Sequence, residues 1–261
     1  MNLTPHTNRN CIPSYSSTRF IELDILRGFA IVGMVLLHLL WDLDYFHLLP
    51  LDRTLYQIQP AIPALFFTLV GICLIVSKNK KCHQTTQEEN QYYKHLVLRG
   101  LKIFSLGMII TTVTLLVMPG RPVIFGVLHC IGLSIVLSVP FLRFKSMNFV
   151  FAAVIVLAGF AAGLFTLENP TILHLAFGIH QANIWQHTID YFPLLPWFGV
   201  CLFGIALGNV LYKDNKRQFP APDLSRFAPM RVCSWLGRHS LAIYLMHQPV
   251  IAGVLSIYLI L

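Results

Sequence analysis

Apolar residues in this chain run in blocks of about twenty, the length that crosses a hydrocarbon layer. Seven such segments are predicted, near 25–47, 58–77, 96–118, 123–142, 148–167, 191–212 and 238–260. Polar stretches divide them. Residues 1–19 are rich in Asn, Ser, Thr and Pro and are expected to form a flexible cytosolic tail. Residues 20–261 then make a single transmembrane domain. Residues 77–94 are hydrophilic and of mixed charge, which predicts a mobile cytosolic connector. Residues 168–190 carry His174, His180, Trp185, His187 and Asp190 among apolar neighbours. That stretch is expected at the membrane interface, where tryptophan is favoured, either contacting substrate or as a partly helical lid or linker with incidental histidines. The expected class is all-α: a polytopic membrane protein with about seven transmembrane helices in one bundle.

Charge fixes the orientation. Hydrophobic residues make up 56% of the chain and charged ones only 11%, against about 25% in a soluble domain. The formal net charge of +8 invites a nucleic-acid reading, but its distribution argues for a bilayer. With the N-terminus inside, all of the 19 Lys and Arg except Arg53 and Arg121 fall on the cytosolic side. This is the positive-inside pattern, so the N-terminus is expected in the cytosol and the C-terminus outside. The partner implied is lipid, not nucleic acid. The six cysteines include no CxxC pair and read as reduced and structural. No short apolar region with a cleavage motif precedes the first segment, so no removable signal peptide is expected. GxxxG spacings at Gly159/Gly163 and Gly204/Gly208 mark close helix packing.

The costly positions are ionisable groups inside the apolar blocks. In the first block, Asp24, Arg27, His38 and Asp42 fall within about 60° of one another, so they share one helix face. Such groups face a bundle interior or a water-filled cavity; a structural network that locks helices together is the plainer alternative. His38 lies about 16 Å deeper than Arg27 at 1.5 Å per residue, at or beyond the middle of the core, with Asp42 one turn further out. His129 lies about 10 Å below the external surface, and His247 about 13 Å from the cytosolic side. Ser240, Tyr244 and His247 share a face of the last segment. Pro249 frees the Leu245 carbonyl there, and a local kink beside His247 and Gln248 would open room for a ligand.

Chemistry follows from these types and depths. A neutral imidazole at His38, oriented by Asp42, suits general-base work. Tyr244 or His129 would donate to a developing oxyanion. Arg27, Arg99, Lys102 and Arg238 crowd the cytosolic ends and suit the phosphates of an acyl donor such as coenzyme A. Ordinary positive-inside flanking accounts for each of these cations taken singly. Asp24 and Gly28 are read as structural.

The block from Glu22 through Asp24, Arg27 and Gly28 to Met34 resembles the opening of the heparan-alpha-glucosaminide N-acetyltransferase catalytic-domain family, most closely its bacterial seven-span branch. Further blocks agree in order: Phe66-Phe67-Thr68 with Gly71; Leu98-Arg99-Gly100 with Lys102 and Gly107; Gly126 with His129 and Gly132; Leu195-Pro196-Trp197 with Gly199; and Gly237-Arg238 leading to Ser240, Tyr244, His247, Gln248 and Pro249. Together they cover nearly all of residues 19–257. The first helix is also similar to type 3 membrane acyltransferases in Asp24-x-x-Arg27-Gly28 followed by His38, where the helix histidine is a candidate catalytic residue. The resemblance implies cytosolic acetyl-CoA, or another acyl-CoA, as donor. It implies an extracytoplasmic sugar or glycan as acceptor, other than heparan sulfate itself, and a place in the bacterial inner membrane. The lysosomal members carry their catalytic histidine in the first lumenal loop and an asparagine where this chain has His38. His47 is the nearest counterpart of that loop histidine here.

The expected function is therefore a membrane acyltransferase. His38 is the base, with Asp42, His129 and His247 beside it. Tyr244, Gln248 and His47 face the acceptor, and Arg27, Arg99, Lys102 and Arg238 face the donor. No metal is expected. Two rival readings remain. One is a metal-dependent intramembrane hydrolase built on the deep histidines and Asp42, weakened by the lack of HxxxH or HExxH spacing. The other is a transporter of a small solute or lipid-linked sugar, weakened by the lack of an internal repeat. The sequence leaves open whether the chain forms a homo-oligomer.

Overall fold

The computed structural model describes residues 19–50, 57, 59–80, 86–213 and 216–260. The tail expected over 1–19 lies outside the described residues except for Arg19, and so do residues 81–85 of the expected connector. The described residues form helices and no β-strand. In chain order these are α1 (Ile21–Tyr45), α2 (Ala61–Lys80), α3 (Thr86–Val117), α4 (Val127–Ser138), α5 (Asn148–Ala162), α6 (Ile172–Ala176), α7 (Leu194–Leu211), α8 (Ala228–Arg238) and α9 (Ser240–Ile260). Six of them are long and apolar enough to cross a membrane: α1, α2, α3, α5 with the turn before it, α7 and α9. The protein is thus an all-α polytopic membrane protein, as its apolar blocks predict. Helices suit this solvent because each satisfies its own backbone polar groups. Ser105, Thr112, Thr114 and Ser138 also turn their hydroxyls onto the carbonyl four residues back, which hides them from hydrocarbon.

The fourth predicted segment is shorter than expected. Its α-helix begins only at Val127, and a 3-10 turn over Val139–Arg143 carries it on. Residues 123–126 are not helical, and Phe125 pairs with Tyr191, one residue past the 168–190 stretch. Continuous apolar character across 123–142 gave no sign of this break, because the partner that stops the helix lies more than sixty residues away. The region expected as a connector already holds the start of α3, at Thr86. One helix was not foreseen: α8, which ends one residue before α9. Its apolar residues are interleaved with Arg231 and Arg238, so it forms no apolar block.

Cross-links fix which helix ends lie together. At one end, Lys78 donates to the Leu142 carbonyl, Asn79 to the Tyr212 carbonyl, and Arg217 and Tyr212 both bond Glu22. At the other, Phe192 bonds Phe125, Val127 bonds Asp190, and Gln248 bonds Asp42. Successive crossings therefore alternate in direction, with the lysines and arginines gathered at the first end.

α7 sits between α2 and α5, with Cys201, Leu202 and Ile205 fully buried. α1 packs on α8 through two glycines. A Cβ on Gly28 would stand 2.0 Å from the Cys233 carbonyl oxygen, and one on Gly237 would stand 1.8 Å from that of Asp24. Both obstacles are backbone, which cannot swing aside. Gly237→Ala is therefore expected to destabilise the protein by about 3 kcal/mol, the upper range for overpacking. The check is a lowered melting temperature in detergent, and an unchanged one would show that α8 can lift off α1.

Candidate active site

A cavity of about 600 Å³ runs along α1 between the two ends of the bundle. Arg27, Arg99, Lys102 and Arg238 line it at the basic end, and His38, Trp41, Trp185 and Asp190 line it towards the other. Its middle is apolar, walled by side chains such as Met34, Phe66 and Ile131. The helical stripe on α1 that joins Arg27 to His38 is thus the wall of one continuous space.

At the basic end, buried Asp24 holds two cations, Arg19 and Arg27, the latter at 3.3 Å. The Arg19 guanidinium is raised above its ordinary value by its hydrogen bond to Asp24. Arg27 also reaches the Cys73 sulfur at 2.7 Å. Among the described residues Arg238 bonds only the Ser234 carbonyl of its own helix, at 3.4 Å. Arg99 and Lys102 make no ion pair among the described residues. Gly28 lies one residue past Arg27, where its missing side chain lets α8 bring Arg238 to the cavity.

Deeper in, the His38 Nδ1 is 2.9 Å from the Met34 carbonyl. A carbonyl only accepts, so Nδ1 carries a proton, and Nε2, which makes no hydrogen bond among the described residues, is the nitrogen left to exchange one. The His247 ring stands edge-on to it, with centroids 4.7 Å apart. The His247 Nδ1 is held by the Tyr244 carbonyl at 2.6 Å, while its buried Nε2 has no partner among the described residues. Asp42 was expected to orient His38. It instead accepts two bonds from the Gln248 amide, at 3.0 and 3.1 Å; the backbone carbonyl one turn earlier on α1 is what holds the ring. Tyr244 lines the cavity.

Two other candidates sit elsewhere. His129 is buried off the cavity, between the rings of Phe104 and Phe125. Its Nδ1 accepts from the Gly126 N–H at 3.2 Å, and its Nε2 faces the Thr111 hydroxyl at 3.5 Å. His47 follows the end of α1 in a left-handed conformation, φ 57°, exposed and away from the cavity lining. Among the described residues, no three His, Cys, Asp or Glu side chains gather as a metal-holding group.

Sequence reasoning missed Trp41 and Cys73 as cavity residues, and named Asp190 only within a stretch for which substrate contact was one of two readings. Asp190 comes from the external stretch and accepts the Val127 N–H at 3.0 Å, on the first residue of α4. Burial pushes its carboxyl up from the usual range, against the pull of that bond and of His38. Its signal was an acid held beside Tyr191 in an otherwise apolar run, but nothing local tied it to Gly126.

The family model described as heparan-alpha-glucosaminide N-acetyltransferase, catalytic, matches residues 19–249. No curated protein and no solved structure matches the chain.

Proposed function

We propose that this chain, which belongs to the heparan-alpha-glucosaminide N-acetyltransferase catalytic family, is a membrane acyltransferase that moves an acetyl group from cytosolic acetyl-CoA to an extracytoplasmic sugar or glycan. The observation that carries the reading is the single cavity with four cations at one end and His38 at the other. The positive-inside rule assigns the cationic end to the cytosol. Arg27, Arg99, Lys102 and Arg238 suit the phosphates of the donor, and the apolar middle suits its uncharged arm. The eleven residues between Arg27 and His38 span about 16 Å, a distance such an arm can bridge.

The bound donor supplies a thioester carbon, whose C–S bond breaks as a C–N or C–O bond to the acceptor forms. His38 is the base that takes the acceptor's proton on Nε2. It then returns that proton to the departing sulfur, so the thiol leaves and the imidazole is reset. Tyr244 lies within the same cavity as a donor for the carbonyl oxygen as charge builds on it. Asp42 and Gln248 lie off the cavity lining and bond each other, bracing α9 against α1.

The direct test is incubation of membranes holding the protein with labelled acetyl-CoA and extracted glycans. Label is expected in the glycan fraction. Transfer to no acceptor, with the donor left intact, would overturn the reading.

A further inference from the structure

We infer that Asp190 is the acceptor-side carboxylate of this site: its free oxygen takes a hydrogen bond from the acceptor and holds the group to be acylated toward His38. The inference rests on the acyltransferase reading above. Asp190 is fastened with unusual care for a loop residue. Its Oδ2 accepts the Val127 N–H, the Thr188 hydroxyl donates to its backbone carbonyl at 3.0 Å, and Phe192 N–H bonds Phe125 O at 2.8 Å just beyond it. Gly126 leaves it room, since a Cβ there would lie 2.2 Å from Oδ2. The other oxygen, Oδ1, makes no hydrogen bond among the described residues, and the residue lines the cavity that His38 also lines.

A negative charge is not needed for what the fold asks of this position. Bonding one N–H at the start of a helix is work that an uncharged oxygen does about as well. Yet the chain keeps an ionisable group here, with no cation paired to it among the described residues. Such groups within a membrane protein mark functional sites by default. An acceptor entering past Trp41 and Trp185 would offer Oδ1 a donor hydrogen, on the attacking nitrogen or on a neighbouring ring hydroxyl. The proton to be lost goes to His38 Nε2. Asp190 in its ionised form stabilises the positive charge that builds on the attacking atom.

Asp190→Asn separates this role from a structural one, because the amide oxygen still accepts from Val127 while the charge is gone. In the full-length protein in liposomes, with labelled acetyl-CoA and with glucosamine, glucose and a glycan extract as acceptor probes, kcat/KM for the acceptor is expected to fall about 10²-fold or more. The donor KM and the melting temperature are expected to hold. Asp190→Glu, which restores the charge, is expected to recover part of the rate. Wild-type rates in the Asn variant would overturn the inference and leave the acyltransferase reading standing. Loss of folded protein in that variant would assign the charge to the fold and overturn it too. Failure of the wild type to acylate any probe would instead sink the parent reading, and this one with it.

Discussion

Replacing His38 with alanine is expected to lower acyl transfer by about 10²–10⁴-fold, the usual contribution of a positioned general base, while the protein still accumulates in the membrane. The ring is half-buried on the cavity wall, and among the described residues its only hydrogen bond is to the Met34 carbonyl of its own helix. Removing it breaks no link between helices except the edge-on contact with His247. Alanine is also the best helix former, so α1 should persist. His38→Asn gives the sharper contrast, since asparagine stands at this place in the lysosomal relatives that the first helix resembles. If His47 were the base, His38→Asn would be tolerated and His47→Ala would be inactive. The exposed position of His47 beyond α1 predicts the reverse. Full transfer by His38→Ala would falsify the assignment.

His247→Ala is expected to cost less. That ring is buried behind His38 rather than on the cavity. Its loss leaves a hole beside His38 without taking away the group that meets the acceptor. An effect on rate as large as that of His38→Ala, with the fold intact, would make the two imidazoles a relay rather than a base and its support.

Local pattern made much of this protein legible, and long-range pairing made the rest invisible. The apolar blocks located six long helices because hydrocarbon admits little else. The 3.6-residue repeat put Arg27 and His38 on one face of α1, and the cavity follows that face. The same repeat could not say what lies opposite. Asp42 was one turn from His38 and therefore its natural partner on paper; Gln248, 206 residues away, is the partner it has. His129 looked like a deep functional group because its depth was all that local pattern could supply. Its Nδ1 is taken up by Gly126 at the start of its own helix and its Nε2 faces Thr111, the second contact set by how α3 lies on α4. For Asp190, substrate contact stayed one reading of two, since its place depends on a loop folding back onto the start of α4. The cations at the basic end were readable as a group, though not which of them stand free of an ion pair.

That last distinction sets the second large effect. Arg99→Gln together with Lys102→Gln is expected to raise the KM for acetyl-CoA by about 100-fold, with little change in kcat at saturating donor. Both side chains are exposed at the cavity mouth and make no ion pair among the described residues. Removing them should therefore leave no buried partner stranded. A hydrogen bond to a charged group contributes about 1.5–3 kcal/mol. Solvent screening favours the lower end at these exposed positions, which is about tenfold for each. Arg27→Gln is a different case. It would leave Asp24, whose side chain is only 5% exposed, to Arg19 alone, so a lower melting temperature should accompany any loss of affinity. Salt supplies an independent check: the donor KM of the wild type should rise with ionic strength as the charges are screened, and that of the double variant should rise less. A donor KM that neither the double substitution nor salt can move would mean that phosphate recognition lies outside this cluster. The positive charge there would then serve topology alone.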